Sequence, residues 1–383
     1  MAMTSDLRYD FWDILKAPRI ALSGKSLLAQ ARPLVYGYLC YLICSYLGML
    51  LQGQSLDYSW QANGLLPWPG HGLTRWYAHA VFAIGLLAAI GFYDYGNLTV
   101  AKLAFEELRG NYFFPRKAAA QDAFGNLLPM WVSGGLVLLL IVVLGLLQGV
   151  VSLVSLIPGI GTILYSILYV VPFFMWSLFL VFLAFGLATS VLTLPAIIVA
   201  REKETFGATF YIYNVIWTQP LRWLGMTAMG LVLAKVGAFV LGYFFMRAIQ
   251  LTNYLATLFG GEEIQNVLIA ATNLLEPLRP ILRFVTTLYP GSSIGYDFVS
   301  STGTYATSGS ESAAAMIIAL GLIAILIVII SYGVNIITNS QLLAFLIVTY
   351  SEDKVKLTED VSQRAPEPNE ILPEKPPSDS TTA

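Results

Sequence analysis

Charge is scarce in this chain. Asp, Glu, Lys and Arg make up 11% of 383 residues and leave a formal net charge of −2. That is too little to coat a water-soluble globule and gives no basic excess for nucleic acid, so neither a soluble domain nor a nucleic-acid partner is expected. Histidine is nearly absent, with only His71 and His79. Cysteine is as rare: Cys40 and Cys44 stand four residues apart, on one face of a helix. That pair is badly placed for a disulfide and supplies only two soft ligands, so it reads as small apolar packing. No metal or other cofactor is expected. A cleavable leader is not expected either, because the first 33 residues are polar, contain Pro18, and lack a short apolar core before a small-residue cleavage site.

What the chain has instead is apolar length. Hydrophobic residues make up 57%, gathered into six runs at about 34–52, 76–98, 127–156, 161–200, 222–250 and 312–350. Each run supplies the roughly 20 apolar residues that a helix needs to cross about 30 Å of hydrocarbon. Ile157, Pro158, Gly159, Ile160 and Gly161 predict a tight turn between the third and fourth helices. The fourth and sixth runs exceed one crossing, so their last turns are expected to leave the membrane as ordinary helix.

Orientation follows from the loop cations. Arg8, Lys16, Arg19, Lys25 and Arg32 precede the first run, and Lys102, Arg109, Arg116 and Lys117 follow the second. Arg201, Lys203 and Arg222 follow the fourth, and Lys354, Lys356, Arg364 and Lys375 follow the sixth. The opposite side holds only Arg75, Arg279 and Arg283. An imbalance of sixteen to three predicts both termini in the cytoplasm, with an even number of spans.

The spans also share a plan. Residues 97–107 and 189–202, and the end of span six from Asn339-Ser340-Gln341-Leu342-Leu343 to Lys354, each run out of the membrane as helix before turning. The re-entry pieces at 122–131 and 216–223 correspond as well. The fold class expected is therefore an all-α polytopic membrane protein: six transmembrane helices in three related helix pairs, with amphipathic cytoplasmic connecting helices. Duplication lets equal hairpins pack, and internal repeats also build many transporters, but these repeats start on one side and would be parallel rather than inverted.

Leu194-Pro195-Ala196-Ile197-Ile198-Val199, the amphipathic stretch from Phe206 to Trp217, and Leu221-Arg222-Trp223-Leu224-Gly225 carry a resemblance. The chain resembles prokaryotic six-span integral-membrane families of unknown function, including the membrane region of some glycerophosphodiester phosphodiesterases. The resemblance covers about half the chain and implies a fold only. The soluble catalytic barrel of the phosphodiesterases has no counterpart here.

Ionisable residues inside the apolar runs are the best pointers to a site, because each is costly in hydrocarbon unless it snorkels, pairs or meets water. Lys235 lies about 20 Å along span five at 1.5 Å per residue, deep enough for either a buried structural partner or a cavity that takes a lipid headgroup or substrate. Asp94, between Tyr93 and Tyr95, and Arg247 are nearer the span ends and read first as snorkelling anchors, with lipid or substrate contact as the sharper reading. No acidic residue matches the depth of Lys235, which disfavours proton-coupled transport.

Other motifs carry less. Gly291-Ser292-Ser293-Ile294-Gly295 fits a nucleophile elbow, but no strand precedes it and no histidine follows. Ser23-Gly24-Lys25-Ser26 looks like the end of a phosphate loop, yet Arg19 holds the place of its first glycine, so Ser23 reads as a helix N-cap. Asn97-Leu98-Thr99 lies on the wrong side for glycosylation. Gly145 and Gly149 are a small-residue pair at which another backbone could approach, within the chain or between subunits.

Three regions complete the organisation. Residues 1–33 interleave Phe11, Trp12, Ile14, Leu15, Ile20 and Leu22 with cations, as expected of a cytoplasmic amphipathic arm lying in the headgroup plane. Residues 34–350 form the membrane domain, with an outer insertion at 251–311 in which one or two short helices rest on the surface. Residues 351–383 are rich in Pro, Glu, Ser and Thr and are expected to be a disordered cytoplasmic tail. With no reaction chemistry in view, the reading is a non-enzymatic inner-membrane protein that organises lipid or a partner protein, with membrane lipids, a protein partner or a second copy as partners. The alternative is a transporter or permease for a lipid or other amphiphile, with its site near Lys235.

Overall fold

The computed structural model describes residues 7–63, 67, 73–200, 205–275, 309–353 and 356–358. Among them helix dominates and no strand occurs. A short arm comes first, a 3-10 turn at Phe11–Lys16 running into α1 (Ala17–Ala21). The six spanning segments are α2 (Gly24–Leu51), α4 (Trp76–Leu108), α5 (Arg116–Ser152), α6 with α7 (Gly161–Leu168 and Phe174–Ala200), α9 (Pro220–Leu274) and α10 (Gly309–Asp353). Two short helices, α3 (Leu56–Asn63) and α8 (Thr205–Thr218), lie in connections. Six helices long and apolar enough to cross a membrane make this a multi-pass membrane protein.

Local chemistry sets the helix ends. Ser23 has extended backbone, and its Oγ accepts from the Ser26 N–H at 3.3 Å, capping α2. Ten residues of the expected arm therefore belong to the first spanning helix. At the end of α4, Gly110 takes φ 89° and donates to the Glu107 carbonyl, while Asn111 donates to Glu106. This left-handed cap needs a glycine, and it turns the chain sharply into α5. The amphipathic lead-in takes two forms: it is the first turns of α5 itself before span three, and the separate helix α8 before span five.

Helix pairing is unequal. The pair α2 and α4 packs closely, since a Cβ on Gly37 or Gly48 would stand 3.1 Å from the Ala89 or Ala78 carbonyl, and one on Gly85 would fall on the Cβ of Cys44. Cys44 is thus a packing residue. The pair α9 and α10 meets similarly, Gly230 against Ser340 and Gly237 against Ile336. By contrast, the pair formed by α5 and α7 is held by Trp176 Nε1 donating to the Leu144 carbonyl at 3.1 Å and Gln148 Nε2 to Ser177 Oγ at 2.9 Å, and much of its outward surface is uncovered. Leu138, Leu139, Leu146, Val150, Ile163, Ile167 and Val181 are all more than half exposed, as suits helices surrounded by lipid. Gly145 and Gly149 face open space, so no backbone among the described residues uses that pair.

The core lies at the end where Tyr9 meets Tyr350 and Thr358, here the basal end. Tyr9 stacks on Tyr350 with ring centroids 4.3 Å apart, and its hydroxyl lies 2.8 Å from Thr358 Oγ1. The arm is not a surface helix. Ile14, Ala17, Ile20 and Ala21 are at most 1% exposed, in one cluster with Leu98, Ile198, Met226, Ile336 and Leu346, and Tyr332 donates to the Pro18 carbonyl at 3.2 Å. The apolar face expected to enter lipid instead closes the bottom of the bundle, leaving Trp12 and Leu22 outside. The outer insertion is corrected in part too. Helix α9 continues past Gln250 to a break at Gly261 (φ 69°, ψ −158°), because Thr252 and Thr257 satisfy their hydroxyls on the carbonyls of Ala248 and Asn253 and do not interrupt it. Residues 276–308 of that insertion, with the Gly291–Gly295 motif, and also His71 and nearly all of the tail lie outside the described residues, whereas residues 309–311 open α10.

Candidate functional site

The three residues singled out by sequence do not come together. Lys235 is exposed on the outward face of α9, next to the buried Ala234. It is exposed rather than buried and lines neither of the two cavities described below, a phase that the apolar sequence of α9 hides. Arg247 is also exposed; its guanidinium stands 5.1 Å from the centre of the Tyr243 ring and donates to Gln250 Oε1 at 2.8 Å, as an interfacial anchor does. Asp94 is the opposite of a snorkelling residue. It is 5% exposed, and its Oδ2 accepts from Trp131 Nε1 at 2.9 Å, a bond from α4 to α5.

That bond fixes one wall of a groove between α2, α4 and α5. Helices α2 and α5 barely touch, and α4 behind them presents small residues, Ala88 and Gly91. The resulting groove of about 740 Å³ is lined by Tyr36 of α2, by Ile84, Leu87, Ala88, Gly91, Phe92 and Tyr95 of α4, and by Phe124, Leu127, Leu128 and Trp131 of α5. A Cβ at Gly91 would come within 3.3 Å of the Trp131 ring, so glycine there keeps the indole close to α4. Asp94 stands behind this wall rather than in it. It holds an otherwise free indole edge, as a buried Trp requires.

Towards the basal end the groove continues into a second cavity of about 360 Å³, sharing Tyr36, Phe92 and Tyr95 with the first. Here the lining changes character. Arg32 comes from α2, and Arg116 and Lys117 are the first two residues of α5, beside Leu28, Ala29, Pro33, Thr99 and Ala120. No Asp or Glu lines either cavity. In the sequence Arg116 and Lys117 serve only to set the orientation, and Arg32 also counts among the cations of the N-terminal arm. The signal left unused is the position of Arg116 and Lys117, since these two cations open α5 with no acid in its first turn, against the helix dipole.

Helices α2 and α10 contribute a set of buried carboxamides, a polar layer of the core. Gln30, Asn335, Asn339 and Gln341 are at most 1% exposed, and both polar atoms of each side chain lack a hydrogen-bond partner. Gln30 sits in a notch at Gly96, whose added Cβ would lie 2.7 Å from its Oε1. One residue on, Asn97 Oδ1 accepts from Thr338 Oγ1 at 3.1 Å. Each carboxamide offers donors and an acceptor together, which water can satisfy and a cation cannot. Beside Gln341 is a space of about 10 Å³, enough for one water. The layer supplies no nucleophile or general base.

The chain matches no family model, no curated protein and no solved structure.

Proposed function

We propose that this is a non-catalytic membrane protein that holds a membrane amphiphile in the groove between α2, α4 and α5. One observation carries the reading: a groove of about 740 Å³ with an apolar lining, one end of which is lined by cations. A site that buried a soluble substrate would hold polar groups along its length. This one has the division of an amphiphile, an apolar body and a charged head. In a prokaryotic inner membrane, the cytoplasmic termini inferred from the loop cations would put its cationic end at the cytoplasmic leaflet. A carrier with its site at Lys235 finds less support, since Lys235 stands on the outer surface of α9.

Filling the groove tests this. Native mass spectrometry of the full chain from mild detergent is expected to show co-purified lipid on the wild type and at least one lipid fewer on Ala88→Trp. The matched change Leu140→Trp, on the lipid-facing side of α5, should leave the lipid count unaltered. Equal retention by Ala88→Trp and wild type would remove the groove as a lipid site.

A further inference from the structure

We infer that Arg32, Arg116 and Lys117 form a phosphate-binding mouth that makes the groove selective for a phospholipid of net negative charge, drawn from the leaflet at the basal end. The inference rests on the groove being an amphiphile site and adds the identity of the headgroup.

The three cations come from two helices and converge on one cavity. The ion pairs of Lys16 with Asp13 and of Lys102 with Glu106 do not involve this group. Three positive side chains sharing a cavity without a carboxylate repel one another, and two of them also oppose the positive end of α5. An anion in the mouth would reverse both terms. Two of the three are arginines, whose planar guanidinium matches two phosphate oxygens at once, whereas Lys117 adds a point charge. A zwitterionic lipid would bring its own ammonium group into the same space and lose much of that attraction.

Geometry decides between a lipid and a free anion. The mouth does not end in a closed pocket: through Tyr36, Phe92 and Tyr95 it opens into the apolar groove. Aromatic rings at such a boundary suit the level where a glycerol backbone meets its chains. A diacyl phospholipid occupies both parts, with its phosphate among the cations and a chain along the Trp131 wall, while inorganic phosphate would leave the larger cavity unfilled.

The test is competitive loading. The full chain is exchanged with an equimolar mixture of phosphatidylglycerol and phosphatidylcholine of identical acyl chains, and the bound lipids are counted by native mass spectrometry. With the attraction reduced by ionic screening, the wild type should favour the anionic lipid by about tenfold, or about 1.4 kcal/mol. The triple variant R32Q/R116Q/K117Q should bind the same total with a ratio near one. Arg32→Lys, which keeps the charge but loses the fork, should fall between them. Arg247→Gln, a cation outside the groove, should keep the wild-type ratio. No preference in the wild type overturns the inference, as does an unchanged preference in the triple variant or a loss as large in Arg247→Gln. Should the triple variant fail to fold, the wild-type ratio still decides, since the preference must collapse towards one as salt is raised from 0.05 to about 0.5 M. Total lipid that resists Ala88→Trp would sink the groove itself; lipid sensitive to Ala88→Trp but blind to headgroup charge would sink only the mouth.

Discussion

Gly85→Ala is expected to lower the stability of the protein by about 2 kcal/mol, and Gly85→Leu to prevent α2 and α4 from closing. The Cβ added at Gly85 falls on the Cβ of Cys44, with the Cys44 sulfur at 3.3 Å and the Cys40 carbonyl at 3.4 Å. A flexible side chain can swing aside, but a Cβ is fixed to its backbone, so relief requires the two helices to separate. They cannot do so locally, because Gly37 and Gly48 hold the same pair close on either side. Without a hydrophobic drive between helices in lipid, such close packing is what holds the pair. The argument has a distinguishing arm. Cys44→Ala should not rescue Gly85→Ala, since it keeps the offending atom, whereas Cys44→Gly should. Melting of the four variants in one detergent checks this, and rescue by Cys44→Ala would show that the sulfur, rather than backbone spacing, limits the contact.

The second large effect is expected from the arm. Ile14 is 0% and Ile20 1% exposed, inside the main core. Ile20→Ala should therefore cost about 3 kcal/mol, as cavity-forming changes in cores do, and Ile14→Ala a similar amount. Trp12→Ala, eight residues away on a side chain 69% exposed, should change stability by about 0.5 kcal/mol or less. An arm lying in the headgroup plane predicts the reverse order, with Trp12 contributing most to membrane contact and Ile20 interchangeable with any apolar residue. Thermal unfolding of the three variants separates the two arrangements, and equal small effects at Ile14 and Ile20 would contradict the buried arm.

These two cases also show where sequence is legible. Span number follows from length and composition, and the Ser23 cap and the Ile157–Gly161 turn follow from local chemistry, so these were readable, whereas the helix ends at Gly24, Leu108 and Leu274 lie well outside the apolar runs. The destination of an amphipathic face was not. Ile14, Ala17 and Ile20 alternate with cations in the same pattern whether they meet lipid or another helix, and only tertiary contacts with α10 decide. Lys235 failed for a related reason: α9 is apolar on every side, so its sequence carries no phase to show which way a single cation points. The groove was invisible because it is a space between helices. Its parts were on the page as Arg116 and Lys117 at a helix start and as Trp131 in a re-entry segment, but nothing in one dimension links Trp131 to Asp94, 37 residues away. The buried amides were hidden by ordinary polarity, since Asn339 and Gln341 sit near a span end where solvent exposure is the default.

The groove is tested most directly by imaging it occupied. A cryo-electron microscopy map of the full chain in nanodiscs of its native lipid should show an elongated density between α2, α4 and α5, running beside the Trp131 ring and ending in a rounded feature among Arg32, Arg116 and Lys117. An empty groove in a map that resolves the Trp131 indole, or a groove closed by α5 moving onto α2, would contradict it.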